Sequence, residues 1–70
     1  MEGWVRVYKS TNAIEAEMVK AMLIDQDVEA VVINKIDSSY FFGEASVYCK
    51  NENESIALQF INVNPTESHE

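Results

Sequence analysis

Few residues of this chain carry reactive groups. They are one cysteine, Cys49, one histidine, His69, the adjacent Ser38 and Ser39, and two groups of carboxylates. Nucleophilic catalysis needs a hydroxyl or thiol within hydrogen-bond reach of a positioned base. His69 falls in a polar tail with nothing to hold it against a nucleophile, and Cys49 shares a strand face with Val47, the setting of a buried, inert thiol. A single cysteine also excludes an internal disulfide and a cysteine-based zinc site. Glu52 and Glu54 are explained by a helix N-terminus, where negative charge is favoured. Asp25, Asp27 and Glu29 gather at a helix end of the wrong polarity, and a solvated acidic turn accounts for them better than a cation site. Gly43 alone is not a glycine-rich phosphate cradle, and the residues around it include no Lys or Arg. The reading is of a chain that is not an enzyme, with no catalytic residue, no metal site and no cofactor.

The charge balance narrows the partners. Seventy residues carry twelve Asp/Glu against five Lys/Arg, a formal net charge of −7. A phosphate backbone requires clustered cations, whereas Arg6, Lys9, Lys20, Lys35 and Lys50 are dispersed along the chain, so neither nucleic acid nor an anionic membrane surface is expected as a partner. No apolar run approaches the about 20 residues of a membrane span, and no signal-peptide pattern opens the sequence, so the expectation is a soluble cytoplasmic protein. A chain of this length makes one domain and must use nearly all its apolar residues to offset the entropy of ordering.

The elements that would position these groups are legible in order. Trp4-Val5-Arg6-Val7-Tyr8 alternates as a strand, with Val5 and Val7 on one face and Trp4, Arg6 and Tyr8 on the other. Asn12 followed by Glu15 is a capping box, and from Ala13 to Gln26 nothing interrupts a helix. Ala16, Met18, Val19, Met22 and Leu23 share one arc of it, Glu17 and Lys20 lie opposite, and Ile24 is the apolar residue on the polar side. The helix should stop at Asp25-Gln26-Asp27 with one residue left-handed and no glycine to take that role. Val28 to Lys35 reads as a strand apolar on both faces, which suits a central strand or one facing a partner. Residues 36–44 read as an aromatic connecting loop, and Ala45 to Lys50 as a third strand with Val47 and Cys49 on one face and Ser46 and Tyr48 on the other. Asn51 to Glu54 repeats the capping box and opens a helix with Ile56, Ala57, Phe60 and Ile61 on its apolar face. Residues 1–61 thus form one α+β domain, and 62–70 a flexible acidic tail.

The order β-α-β-β-α predicts a ferredoxin-like split βαβ arrangement lacking its usual last strand, a three-stranded mixed sheet with both helices on one face. At this point the chain resembles a known family. Trp4 to Ser10, Ile14 to Val19 with Met22-Leu23, Val28 to Asn34, Ser38-Ser39-Tyr40, Gly43 and the Ala57 helix are similar, in order and spacing, to the small bacterial domain labelled putative prokaryotic signal-transducing protein. The resemblance implies a fold related to the nitrogen-regulatory PII-like group and a regulatory role, and it supplies no catalytic residues. Asp27 stands where such proteins usually carry glycine.

Two surfaces then stand out. If Val5, Val7, Ala30, Val32, Val47 and Cys49 face the helices, Trp4, Tyr8, Val31, Ile33 and Tyr48 form an uncovered apolar-aromatic face, which monomers rarely leave in water. An RNA-binding sheet shows aromatics in this way but surrounds them with cations, and here Arg6 alone stands among them. Ser38, Ser39, Tyr40, Phe41, Phe42 and Gly43 form the second surface, a loop for a partner or small ligand, with Phe42 anchored inward. The sequence-based expectation is a non-enzymatic regulatory module that forms a homo-oligomer through its open face and binds another protein; the alternative is a PII-like sensor of a small metabolite, nucleotide or metal ion.

Overall fold

The computed structural model describes residues 2–37 and 42–63. Its elements follow the order β1 (Trp4–Ser10), α1 (Ala13–Asp25), β2 (Ala30–Asp37), β3 (Phe42–Lys50), a 3₁₀ turn (Asn51–Asn53) and α2 (Glu54–Val63). The class is α+β, and the β-α-β-β-α order is the expected one. The sheet order is β1-β3-β2, with both pairings antiparallel. The expectation of a mixed sheet is corrected here. β1 and β2 do run parallel to each other, but β3 lies between them, so no parallel ladder forms. β3, not β2, is therefore the central strand, and β2 is an edge.

The alternation of β3 is as expected: Val47 and Cys49 are buried, while Tyr48 is half-exposed on the other face. Ala16, Val19 and Leu23 of α1 and Ala57 of α2 join Val28, Ala30, Ala45, Val47 and Cys49 in one core, so both helices cover the same side of the sheet. Two arcs are narrower than the periodicity suggests. Met18 is 55% exposed and Ile56 is 43% exposed, because a helix on a three-stranded sheet buries only the stripe that touches it. Ile24 points to solvent, as its position on the wheel requires.

Both ends of α1 have an identifiable chemistry. The Asn12 side chain accepts from the N–H groups of Ile14 (2.9 Å) and Glu15 (3.4 Å), as an N-cap should. Glu15 does not reach back to the cap. Its Oε1 accepts from Ser10 Oγ (2.8 Å) and Tyr8 Oη (3.3 Å), while Ser10 Oγ accepts the Asn12 N–H (2.9 Å). The serine hydroxyl thus does for the cap what the carboxylate was expected to do, and Glu15 ties β1 to α1.

At the other end Val28 N–H donates to the Leu23 carbonyl and Asp27 N–H to that of Ile24, the paired bonds of a Schellman closure. Asp27 takes the left-handed conformation, φ 65°, as expected at this helix end. An aspartate pays steric strain there and adds negative charge to a negative helix end. Asp27→Gly should therefore stabilise the domain by about 1 kcal/mol, raising its melting temperature by roughly 4–8 °C in a thermal melt followed by circular dichroism. A lower melting temperature would show that the Asp27 carboxylate holds something in place.

The second capping box does not form. Lys50 occupies the cap position of the 3₁₀ turn without a side-chain cap bond, and Asn51 instead donates its backbone N–H to the Gly3 carbonyl (2.9 Å). α2 continues to Val63, two residues into the stretch read as tail, and residues 64–70 lie outside the described part. β2 and β3 also extend into the expected 36–44 loop: Ile36 pairs with Gly43 and Asp37 with Phe42, leaving only four residues, 38–41, between the strands. Gly and Asp are poor strand formers, which is why the ladder was not legible there. Among the described residues no helix is long and apolar enough to cross a membrane.

Candidate functional site

One irregularity decides what the open side of the sheet displays. Along β1 the partners run Trp4–Lys50, Val5–Cys49 and Arg6–Tyr48, then jump to Tyr8–Val47, Lys9–Ser46 and Ser10–Ala45. Val7 is the extra residue of a β-bulge, so two residues of β1 oppose one of β3 and the alternation changes phase. Val7 and Tyr8 both pack against the core, and the Tyr8 hydroxyl donates to Glu15 on the helix side. The placement of Tyr8 on the open face is thereby corrected. Lys9 takes the outward position in its stead.

The other expected face residues stay together. Trp4, Val31 and Tyr48 are half-buried on the open side and Ile33 is 40% exposed. In register, Val31 opposes Tyr48, which opposes Arg6; Ile33 opposes Ser46, which opposes Lys9; and Lys35 opposes Glu44. The outward positions therefore bring Arg6, Lys9, Lys35 and Lys50, four of the five cationic side chains, onto one face of a chain whose net charge is −7. Lys35 and Lys50 follow by counting in twos from Ile33 and Tyr48, a signal already present in the sequence; Lys9 required the bulge.

The face is charged but partly neutralised. Lys9 Nζ lies 3.5 Å from Glu44 and Lys50 Nζ 3.6 Å from Glu29, and all four groups are exposed. Exposed pairs of this kind are worth about 0–1 kcal/mol, so they exchange partners easily. Lys50 also stands 5.8 Å from the centre of the Trp4 ring, within range of a cation–π contact. The result is an aromatic and aliphatic strip with cations along it and a carboxylate at either side.

Among the described residues, the other candidate groups are Cys49 and the carboxylates at the two helix ends. Cys49 is fully buried, and its thiol is pushed up from its ordinary pKa by burial and, secondarily, by the Glu54 carboxylate. Asp25 and Asp27 are exposed at the end of α1, and Glu52 and Glu54 are exposed before and at the start of α2. Among the described residues no three His, Cys, Asp or Glu side chains converge as a metal ion would require. Of the loop residues singled out, Ser38, Ser39, Tyr40 and Phe41 lie outside the described part; Phe42 and Gly43 are the first residues of β3, and the Phe42 side chain is also outside it.

No curated protein and no solved structure matches the chain. A family model does, over residues 4–59, which takes in both faces of the sheet, α1 and the buried part of α2. The chain belongs to the family described as putative prokaryotic signal transducing protein.

Proposed function

We propose that the domain is a non-catalytic regulatory module that works by association, first with further copies of itself, through the open face of its sheet. The observation that carries this reading is the strip Trp4, Val31, Ile33 and Tyr48, apolar and aromatic, on the side away from both helices. Its border holds both signs of charge, Arg6, Lys9, Lys35 and Lys50 with Glu29 and Glu44, so two copies related by a two-fold axis can exchange the weak ion pairs each makes alone. The split βαβ order, with β3 inserted between the strands that α1 connects, supports a ferredoxin-like fold and, through the family, kinship with PII-like regulators.

Static light scattering at micromolar concentration tests this. The expected mass is a multiple of 7.9 kDa, and a monomer mass would end the proposal. Tyr48→Glu buries a carboxylate in the interface but disturbs little of the core, so it should weaken association by about 30-fold or more, as loss of a central aromatic does, and leave the circular dichroism spectrum unchanged.

The competing reading is a sensor of a small anionic metabolite, favoured by the four cations on one face. Isothermal titration with a panel of nucleotides and divalent ions separates the two. Heat from a nucleotide that is abolished by Arg6→Ala supports the sensor, and silence throughout supports association.

A further inference from the structure

The outer side of α1 is the second surface that the fold leaves unexplained. Ile14 is 70% exposed, Met18 55% and Ile24 50%, with Ala21 between them and Ala13 ahead of Ile14. The helix is nearly as apolar outside as inside, the pattern of a helix covered on both sides, yet the domain covers only one. Ala13, Ile14, Glu17, Met18 and Ala21 line a shallow groove of about 320 Å³, and a second depression beside Ile24 is bounded by Asp27 and Glu29. From Ile14 to Ile24 the exposed apolar residues run along about three turns of α1.

Its charge is one-sided. Lys20, the one cation off the open sheet face, is held by Glu17 at 3.1 Å, so its charge is locally cancelled. Asp25 and Asp27 remain exposed where the stripe ends. Both stand against the negative end of the helix dipole, and Asp27 is strained as well, so neither is there for the stability of the fold. A cationic partner accounts for both costs. A second copy docked through its own α1 would instead bring Glu17, Asp25 and Asp27 to an already acidic side.

We infer that the outer face of α1 docks a basic amphipathic helix of another protein. Ile14, Met18 and Ile24 receive its apolar ridge, and Asp25 and Asp27 receive its Lys or Arg residues. Methionine suits such a groove, because its unbranched side chain adapts to different ridges. This surface is separate from the open sheet face and does not depend on the self-association proposed there.

The probe is a fluorescent leucine–lysine amphipathic peptide of at least three turns, titrated with the full chain and followed by anisotropy. A leucine–glutamate peptide of the same length is the control. The lysine peptide should bind and the glutamate peptide should not. The double variant Ile14→Ser/Met18→Ser, at two exposed positions, should weaken binding roughly tenfold to a hundredfold through lost apolar contact. Asp25→Asn/Asp27→Asn should weaken it about tenfold at low salt and progressively less as salt rises. Val63→Ser, at the exposed end of α2 and outside both surfaces, should leave peptide binding unchanged. Binding that ignores Ile14 and Met18 would be general charge attraction and would overturn the inference. So would a fall in the chain's own oligomeric mass on changing Ile14 and Met18, since the occupant would then be a second copy.

Discussion

Leu23→Ala should remove most of the stability of this domain, whereas Met18→Ala should leave it nearly unchanged. The two residues lie five positions apart on α1 and share a hydrophobic arc, so the contrast isolates burial from pattern. Leu23 has no exposed surface. Its carbonyl accepts the N–H groups of both Gln26 and Val28, and its side chain joins Val28 in the core, so it closes the helix and seals the layer beneath it. Truncating a fully buried leucine costs about 2–5 kcal/mol, the spread reflecting how far the cavity collapses. A 70-residue chain has only a few kcal/mol in hand. A fall in melting temperature of roughly 10 °C or more is therefore expected, with partial unfolding at room temperature at the upper end. Met18, half in water, should shift stability by less than about 0.5 kcal/mol. Comparable losses at both sites in urea titration would mean that the outer side of α1 is covered in solution.

Cys49 supplies the second large effect, in reactivity. The thiol is fully buried at the centre of the sheet, with its Sγ 3.5 Å from the Lys50 carbonyl. Iodoacetamide reaches it only when the domain opens, so the native rate should fall below that of an unfolded thiol by the opening equilibrium. At about 1.4 kcal/mol per factor of ten, a stability of a few kcal/mol slows alkylation by two to three orders of magnitude. Rapid labelling without denaturant would contradict the inward facing of Val47 and Cys49.

The same burial sets a sign for alkaline pH. The folded thiol titrates above its ordinary 9.0, and the unfolded thiol at that value. Between the two the unfolded chain releases a proton that the folded chain retains, so folding becomes less favourable as pH rises above 9.0. Urea midpoints measured across that range should decline more steeply for the natural chain than for Cys49→Ala. Parallel curves would show that the thiol does not contribute.

What the sequence revealed was whatever depends on neighbours along the chain. Asn12 as a cap and a left-handed residue within Asp25-Gln26-Asp27 follow from local helix-end chemistry, and Ile24 pointing outward and the two faces of Ser46-Val47-Tyr48-Cys49 from periods of 3.6 and 2. What stayed hidden depends on neighbours across space. β3 is central because two other strands find it, and nothing in Ala45 to Lys50 marks that. Met18 is exposed because it lies at the margin of the arc, turned away from the stripe of Ala16, Val19 and Leu23 that meets the sheet. Glu15 turns away from its cap because Tyr8 and Ser10 offer it hydroxyls, and Tyr8 is there only because of the bulge. The open face was legible for Trp4, Val31, Ile33 and Tyr48, but its cationic character was not, since it rests on register as much as on composition.

The bulge at Val7 has a consequence for how this chain tolerates changes in length. One residue of surplus acts on the strand as a frameshift does on a message: everything before it keeps its face, and everything after it is exchanged. Deleting Val7 would remove the surplus and keep every pairing, so Tyr8 and Ser10 would still face the helices and Lys9 the open side. Pairing Val7 itself with Val47, with no residue removed, is what would exchange the faces, turning Tyr8 and Ser10 outward and Lys9 toward the core. Glu15 would then lose both hydroxyl donors, and a lysine would meet the underside of a helix. The strand therefore tolerates loss of its surplus residue far better than a slip that pairs it.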